Sequence, residues 1–221
     1  METNTRDTVY SSLRDSIINL NLAPGTGISE TELSGRFKLS RTPIREALIR
    51  LSKEGLVRVV PQKETLVSLI DLIRVEQEFF LRESLEEAVL GPFIKHCESR
   101  HFAEMEGLIV RQKDAIKSKS YVDFIKLDDN FHRILFDAGG QHLSWEVLSK
   151  MIGHYHRLRM LTIRIASIGE EKVNEHSDLL KALQKKDLRL AKKLLYNHLH
   201  NLETEVKLVQ KEFPGYLLDT P

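Results

Sequence analysis

The chain has 221 residues, of which 41% are hydrophobic and 29% are charged. This composition excludes a disordered polypeptide and supplies one large hydrophobic core and a second, smaller one. A single cysteine, Cys97, excludes an internal disulfide framework and a cysteine-rich zinc site. The N-terminus shows no apolar segment of a signal peptide, and no apolar run reaches the roughly 18 residues of a membrane span. We therefore expect a cytoplasmic protein without membrane partners.

Positive charge is concentrated in one segment of a nearly neutral chain. The formal net charge is +1, but residues 36–63 hold eight basic side chains and two acidic ones, so the remainder carries a net charge of −5. A run of charges usually forms a solvated helix face. The pattern around this segment favours a functional surface instead.

The first third of the chain predicts three helices, of which two precede the basic segment. Apolar residues recur at helical spacing between Val9 and Leu20, and Pro24-Gly25 ends that helix. Ser29, followed three residues later by Glu32, is the capping-box pattern that opens a short second helix.

The third helix is predicted within residues 40–56, SRTPIREALIRLSKEGL. Thr42 is expected to cap it, Pro43 to occupy its first position and Gly55 to end it. The segments LVRVV and TLVSL that follow predict the two strands of a hairpin. Three helices and a hairpin, in this order, indicate a winged helix-turn-helix.

In such a fold the first turn of the third helix enters the major groove of DNA, which requires long polar side chains there. Arg41 and Arg45 lie one turn apart, and each can donate two hydrogen bonds to a guanine. Thr42 and the free first-turn amides suit phosphate groups. Arg50 is either a contact to the DNA backbone or a solvated charge, and Lys63 is expected to support the contact from the wing.

Residues 8–69 resemble the DNA-binding domain of the GntR family of bacterial transcription regulators. The resemblance rests on residues 40–57, SRTPIREALIRLSKEGLV, which carry the hallmark motif of that family. It implies a domain over residues 1–70 that binds double-stranded DNA. The sequence departs from the family pattern at Glu64, where the wing usually carries glycine, and at Thr31, where arginine is frequent.

From residue 71 to residue 221 the pattern changes to long amphipathic helices without strand-like alternation. The predicted helices lie near residues 72–90, 93–98, 101–118, 121–137, 143–165, 170–185 and 187–211. Gly91-Pro92, Gly139-Gly140 and Gly169 separate several of them. The expected fold is therefore mainly α, an N-terminal winged helix-turn-helix followed by an all-α helical bundle.

Four side chains of the bundle form a candidate metal site. Asp128 and His132 are four residues apart and project from one helix face. His176 and His198 are equidistant from the turn expected near Asp187, so an antiparallel hairpin would place both imidazoles side by side. One carboxylate and three imidazoles suit Zn, Ni, Mn or Fe(II). A histidine in a helical bundle is more often a hydrogen-bonded or surface residue, and at this point that alternative stays open.

Residues 72–211 are similar to the all-helical effector domain, the FCD domain, of FadR-like GntR regulators in its metal-binding branch. That branch carries an Asp-x-x-x-His pair, a later Glu-His and a histidine in the last long helix. The matching residues are Asp128, His132, Glu175-His176 and His198. The resemblance implies a divalent metal ion, with zinc expected and nickel, manganese and iron as alternatives.

The same resemblance implies a small carboxylate effector bound beside the metal. Arg82 matches an arginine of the first effector helix, and Glu86 matches its partner one turn later. The alternative for these two residues is a plain surface ion pair. Arg159 is a candidate for a second contact to the anion, and Gln141 stands where the family usually carries asparagine.

Two classes of function compete for this sequence. A ligand-responsive regulator would bind a roughly palindromic operator as a homodimer, with an anion at the metal shifting the placement of two DNA-reading heads. A metal-dependent enzyme of the hydrolase type and a regulator with a purely structural metal are the alternatives. No carboxylate adjoins the ligands in the pattern of a general base, and an enzyme would leave the DNA-reading head unexplained. We therefore expect a regulator and not an enzyme.

Overall fold

The computed structural model describes residues 2–60, 64–165 and 168–218, with side chains from residue 7 onward. The N-terminal part of these ranges contains three helices and a three-stranded sheet. Its elements are α1 (Glu2–Ile18), β1 (Gly27–Ile28), α2 (Glu30–Phe37), α3 (Arg41–Lys53), β2 (Val57–Val59) and β3 (Thr65–Val67). The strand order is β1-β3-β2, and both neighbouring pairs are antiparallel. The predicted order of three helices and a hairpin is therefore confirmed, with β1 as an added edge strand.

The remaining elements are all helical. They are α4 (Leu72–His96), α5 (Ser99–Lys117), α6 (Tyr121–Ala138), α7 (His142–Met151), α8 (Gly153–Thr162), α9 (Ile168–Gln184), α10 (Leu188–Leu199) and α11 (Leu202–Glu212). Apolar side chains from these helices form the larger of two hydrophobic cores, and the smaller core joins α1, α2, α3 and the sheet. Among the described residues, no helix is both long and apolar enough to cross a membrane.

Helix α3 begins one residue before the predicted cap. Ser40 is the extended N-cap residue, and Arg41 is already helical. The prediction that Thr42 caps this helix is therefore wrong. Pro43 is the third residue of α3 and not the first, as predicted; it is tolerated there because the first four N–H groups have no intrahelical partner in any case. Ser29 does cap α2, since its hydroxyl accepts a hydrogen bond from the Glu32 amide at 3.3 Å.

Several predicted helix ends in the bundle are wrong. Helix α4 continues through Gly91-Pro92, because Leu90 and Phe93 are both buried in the core and their packing outweighs the cost of an internal proline. The predicted helix over residues 143–165 is divided at Ile152, and the one over 187–211 is divided at residues 200–201.

Helix α8 joins the bundle to the N-terminal part of the chain, from α1 to β3, which we call the head. The ring of His154 accepts a hydrogen bond at Nδ1 from the Asp71 amide, at 3.0 Å, and its Nε2 lies 3.1 Å from the carbonyl oxygen of Gly55. Because Nδ1 accepts, the proton is assigned to Nε2, which donates to Gly55. Arg157 donates to the carbonyl oxygen of Ser68 at 2.6 Å. These contacts fix the head against one end of α8.

Candidate metal centre and DNA-binding surface

The four predicted metal ligands come together in the interior of the bundle. Asp128 and His132 lie on α6, His176 on α9 and His198 on α10, and one ligand atom from each falls within 4.8 Å of all the others. The Nε2 atoms of His132 and His176 are 3.3 Å apart, and His176 Nε2 lies 3.4 Å from Asp128 Oδ1. All four side chains are buried. The α9–α10 hairpin places the rings of His176 and His198 side by side, with their centroids 4.6 Å apart.

Each histidine of this cluster is oriented by a partner at its outer nitrogen, Nδ1. The pairs are His132 with Glu86 (2.6 Å), His176 with Gln112 (2.8 Å) and His198 with Glu175 (2.7 Å). The oxygens of Gln112 and Glu175 accept the Nδ1 proton, and the Glu86 carboxylate lies at ion-pair distance from Nδ1 of His132 and favours a proton there, which leaves the lone pair on Nε2 of each ring. A hydrogen bond of this kind fixes the tautomer and the ring orientation of metal-binding histidines. Three lone pairs are therefore turned inward, toward Asp128.

The protonation states of the cluster suit a cation. Burial lowers the pKa of His176 to about 3 and that of His198 well below its ordinary value, so both rings are neutral at pH 7. Burial alone would raise the pKa of the Asp128 carboxyl, but the charge of Arg159 and the neighbouring histidines hold it well below its usual range. Neutral imidazoles and an ionised carboxylate are the forms that bind divalent metals. The residues present therefore fit a metal ion.

None of the three orienting residues was predicted in this role, and Glu175 was singled out only as the residue before His176. The sequence paired Glu86 with Arg82 alone, whereas its second carboxylate oxygen contacts His132. Gln112 was not singled out, although it interrupts an apolar stripe on α5, between Ile109 and Ala115, and is fully buried. A polar residue within an apolar stripe was the one signal available, because its partner is 64 positions away along the chain.

A small cavity of about 40 Å³ opens to solvent beside Asp128 and His198. Both predicted effector residues, Arg82 and Arg159, line it. The guanidinium of Arg82 is buried and donates to Glu86 at 2.6 Å, so the alternative of a surface pair is wrong. Arg159 pairs with the carboxylate of Asp128 and also donates to Asp129 at 2.8 Å. The cavity thus joins the metal ligands to two buried cations.

The N-terminal turn of α3 presents its polar side chains to solvent. Arg41, Thr42 and Arg45 are exposed. Arg45 pairs with Glu30 of α2 at 2.8 Å, and Arg41 donates to the hydroxyl of Thr31 at 3.3 Å. Exposed pairs of this kind contribute little to stability, so both arginines can leave them for another partner.

Arg50 and Lys63, the other two predicted DNA contacts, differ from this group. Arg50 pairs with Asp7 of α1 at 2.7 Å and stacks over the ring of Tyr10, 3.8 Å from its centroid. It therefore contacts two residues of α1, whereas Arg41 and Arg45 contact α2. Lys63 lies outside the described residues.

Comparison with known proteins identifies the class to which this fold and cluster belong. Residues 5–67 match the family of bacterial regulatory proteins called gntR, and residues 78–201 match the FCD domain. The chain therefore belongs to the GntR family of transcription regulators and carries an FCD domain. It is 32% identical over 204 residues to the HTH-type transcriptional repressor RspR of Escherichia coli K12, a match that covers 92% of this chain and 90% of that protein.

A second relative and two solved structures agree with this assignment. The chain is 32% identical over 212 residues to an HTH-type transcriptional regulator from an unstable DNA locus of Streptomyces ambofaciens, covering 96% of this chain and 89% of that protein. The structure of McbR/YncC from E. coli matches with a TM-score of 0.78 at 18% identity, covering 92% of this chain and 98% of that one. Lar, which controls expression of the Listeria monocytogenes agr system, matches with a TM-score of 0.64 at 15% identity, covering 92% and 97%. The structural likeness confirms the predicted fold class, and the relatives are regulators rather than enzymes.

Proposed function

We propose that this protein is a ligand-responsive regulator that binds a roughly palindromic operator as a homodimer and senses a small carboxylate at a metal in its helical bundle. One observation carries the proposal: four potential metal ligands, three of them oriented imidazoles, meet at the edge of a cavity that two arginines also line. The family assignment supports the claim that the protein regulates transcription. The cavity supports the claim that it binds an effector.

Asp128, His132, His176 and His198 would hold the divalent ion, with zinc as the first expectation and nickel, manganese and iron as alternatives. When bound, such an ion acts as a Lewis acid that attracts an anionic oxygen. Four protein ligands would fill a tetrahedral zinc site, so a carboxylate would have to add to zinc as a fifth ligand, whereas a six-coordinate ion would keep two positions for it. The adjoining cavity favours a sensor site over the alternative of a purely structural metal, because a structural site is normally closed.

Arg82 and Arg159 would steady the bound carboxylate. Arginine presents paired N–H donors that match two carboxylate oxygens. In the described structure both guanidiniums already have carboxylate partners, Glu86 for one and Asp128 with Asp129 for the other. Nη2 of Arg82 has no hydrogen-bond partner among the described residues, so Arg82 can donate to an anion and keep Glu86. Arg159 would have to give up a partner, which it can do because one of its partners, Asp128, is also a potential metal ligand.

Helix α8 provides the path from the cavity to the DNA-binding head. Tyr155, Arg159 and Thr162 line the cavity, while His154 and Arg157 contact the head. A ligand that moves α8 would therefore change the placement of the head. In a homodimer two heads must match the spacing of two half-sites, so a change in placement alters operator affinity.

The proposal is tested by measuring operator binding at fixed metal load. DNA selected by the protein from a random library supplies the operator, and fluorescence anisotropy gives its affinity with and without small carboxylates. We expect at least one carboxylate to change the affinity of the metal-loaded protein several-fold, and to leave that of His176→Ala unchanged. An operator affinity that no carboxylate alters, at full metal load, would contradict the sensing function.

A further inference from the structure

The linker between the head and the bundle is held by two different parts of the chain. It comprises residues 68–71, between β3 and α4. Helix α8 holds both ends of this linker through the contacts described above. Between them, the amide of Ile70 donates to the carbonyl oxygen of Tyr216 at 2.9 Å, and the carbonyl oxygen of Ile70 accepts from the amide of Leu218 at 2.8 Å. The segment that follows α11 therefore also positions the linker.

This second contact is a parallel β-bridge within the larger hydrophobic core. Ile70 is fully buried, and its bridge partner Leu217 is also buried. Gly215, in the turn between α11 and the bridge, has a φ of +90°, a backbone conformation that favours glycine. We call α11 and the segment after it, residues 202–218, the strap. The strap and the linker both lie outside the two regions that match known families.

The other end of the strap forms a wall of the cavity beside the metal cluster. Glu205, on the first turn of α11, lines that cavity and is only 8% exposed. Further along α11, Val209 is fully buried, and the helix packs against α8. One continuous segment of the chain thus contacts both the cavity and the linker.

The space around α11 favours its movement when a ligand binds. The cavity measures about 40 Å³ and so holds about three water molecules. An acid of several carbons is larger, so its binding favours displacement of a wall. On its other side, α11 borders a groove of about 510 Å³, which Leu202 and Val206 line together with Val75 and Phe79 of α4. A helix beside open space can shift at a lower packing cost than one enclosed by the core.

The charges in the cavity favour the same movement. Three cations, Arg82, Arg159 and Lys172, line it together with Glu205. Nζ of Lys172 lies 3.6 Å from the Glu205 carboxylate. A bound carboxylate would compete with Glu205 for these cations, and two negative charges in one buried cavity repel each other. An anion therefore favours movement of Glu205 out of the cavity, and α11 moves with it.

We propose that the strap is a second regulatory connection between the bundle and the head. Occupancy of the cavity displaces α11, and the segment after α11 transmits that displacement to Ile70, which changes the placement of the head. This inference rests on the proposed function, because it assumes that a carboxylate binds in the cavity. It adds a connection that does not pass through the contacts between α8 and the head.

Leu218→Pro removes one backbone hydrogen bond of the strap. The amide of Leu218 donates to Ile70, and proline has no N–H group. The Leu218 side chain is exposed, so the substitution acts on the hydrogen bond more than on packing. Leu218→Ala loses the same side chain but keeps the N–H group, and it is the matched control.

The experiment compares the operator affinity of the metal-loaded proteins, full length, with and without acetate, lactate, succinate or citrate. Fluorescence anisotropy on the selected operator gives the ratio of the two affinities for each acid. We expect at least one acid to give a ratio of about five or more in the wild type and in Leu218→Ala, and one at most about half as large in Leu218→Pro. Amide hydrogen exchange at Ile70 should be faster in Leu218→Pro than in Leu218→Ala. Equal metal content in all three proteins would show that the bundle is folded.

A second substitution tests whether the cavity and the linker belong to one connection. Glu205→Ala should also reduce the ratio, whereas Glu203→Ala, at an exposed position of α11, should not. If both effects pass through the strap, Glu205→Ala combined with Leu218→Pro should reduce the ratio no further than the stronger single variant does.

The remaining outcomes overturn the inference in separable ways. A wild-type ratio in Leu218→Pro, an equal reduction in Leu218→Ala, or reductions by Glu205→Ala and Leu218→Pro that multiply would refute the strap and leave the sensor intact. A wild-type protein whose operator affinity none of the acids alters would refute the sensor, and the regulatory role of the strap with it.

Discussion

The side-chain amide oxygen of Gln112 accepts a hydrogen bond from Nδ1 of His176 at 2.8 Å, and Nε2 of the same ring lies 3.3 Å from Nε2 of His132. Gln112 is not itself a potential ligand. Its hydrogen bond to Nδ1 determines that Nε2 of His176 faces the cluster. Helix α5 thereby takes part in the site through one buried side chain. The geometry of the cluster depends on such partners as much as on its ligands.

Gln112→Leu keeps the approximate volume of the side chain but removes the acceptor. We expect metal affinity to fall by about ten- to a hundredfold, as for loss of other orienting partners, with little change in the fold. Competition with a chromophoric chelator gives the affinity. Gln184→Leu, an exposed glutamine of α9, is the control. Equal affinities for both variants and the wild-type protein would show that Gln112 does not orient a ligand.

Arg159→Met should weaken carboxylate binding while metal binding persists. The loss of a charge-assisted hydrogen bond costs about 1.5–3 kcal/mol, which corresponds to a change in Kd of at least tenfold. Calorimetric titration of the metal-loaded protein measures it, and Arg133→Met, at an exposed position on α6, serves as the control. A carboxylate that binds Arg159→Met with wild-type affinity would remove Arg159 from the effector site.

Arg45→Ala should cost about 1–3 kcal/mol on the selected operator and relax sequence preference, because a base contact is lost. The exposed pair with Glu30 must open on binding, and it contributes little to stability in the free protein. Anisotropy with selected and random DNA measures both effects, with Arg36→Ala as the control. A loss of equal size on random DNA would instead identify Arg45 as a phosphate contact.

The contact between α8 and the head should make stability depend on pH. Burial, with Arg157 and Arg74, lowers the pKa of His154 to about 3 in the folded protein. The unfolded chain, with a pKa near 6.5, binds more protons between these values, so the free energy of unfolding falls as pH decreases through that window. At pH 5.5 His154 alone accounts for a loss of about 1.4 kcal/mol relative to pH 7.5.

His154→Gln keeps a donor and an acceptor but does not titrate. The difference in unfolding free energy between wild type and variant should therefore shift by about 1.4 kcal/mol, in favour of the variant, from pH 7.5 to pH 5.5. Denaturant unfolding of metal-free protein at both values measures it, and the other histidines cancel in the difference. A difference that does not change with pH would mean that His154 is charged or exposed in the folded protein.

The sequence predicted the fold where local signals agree, and it failed where packing overrides them. The motif at residues 40–57 was sufficient to predict the fold of the head. It did not reveal β1, because a strand of two residues has no periodic pattern. Pro92 suggested a break that core packing suppresses. The division at Ile152 is followed directly by Gly153, and the division at residues 200–201 contains Asn201, so each carried a helix-end signal that the prediction did not use.

The candidate site shows the same limit. Asp128 and His132 share one helix face, and the α9–α10 hairpin relates His176 to His198, so helical spacing gives two pairs of ligands. The resemblance to the FCD domain supports joining the two pairs in one site. The partners that orient them come from distant helices. Glu205 lines the cavity from α11, which begins at Leu202 after an interruption that the sequence did not predict.

The central claim is that Asp128, His132, His176 and His198 bind a divalent metal. The most direct measurement is elemental analysis of untagged wild-type protein beside His132→Ala and the control His101→Ala, which changes a histidine outside the cluster. We expect close to one metal ion per chain in the wild type and in the control, and a large loss in His132→Ala. Two results would contradict metal binding at this cluster. One is a wild-type protein that holds no metal after incubation with zinc, nickel, manganese and iron salts, and the other is equal metal content in all three proteins.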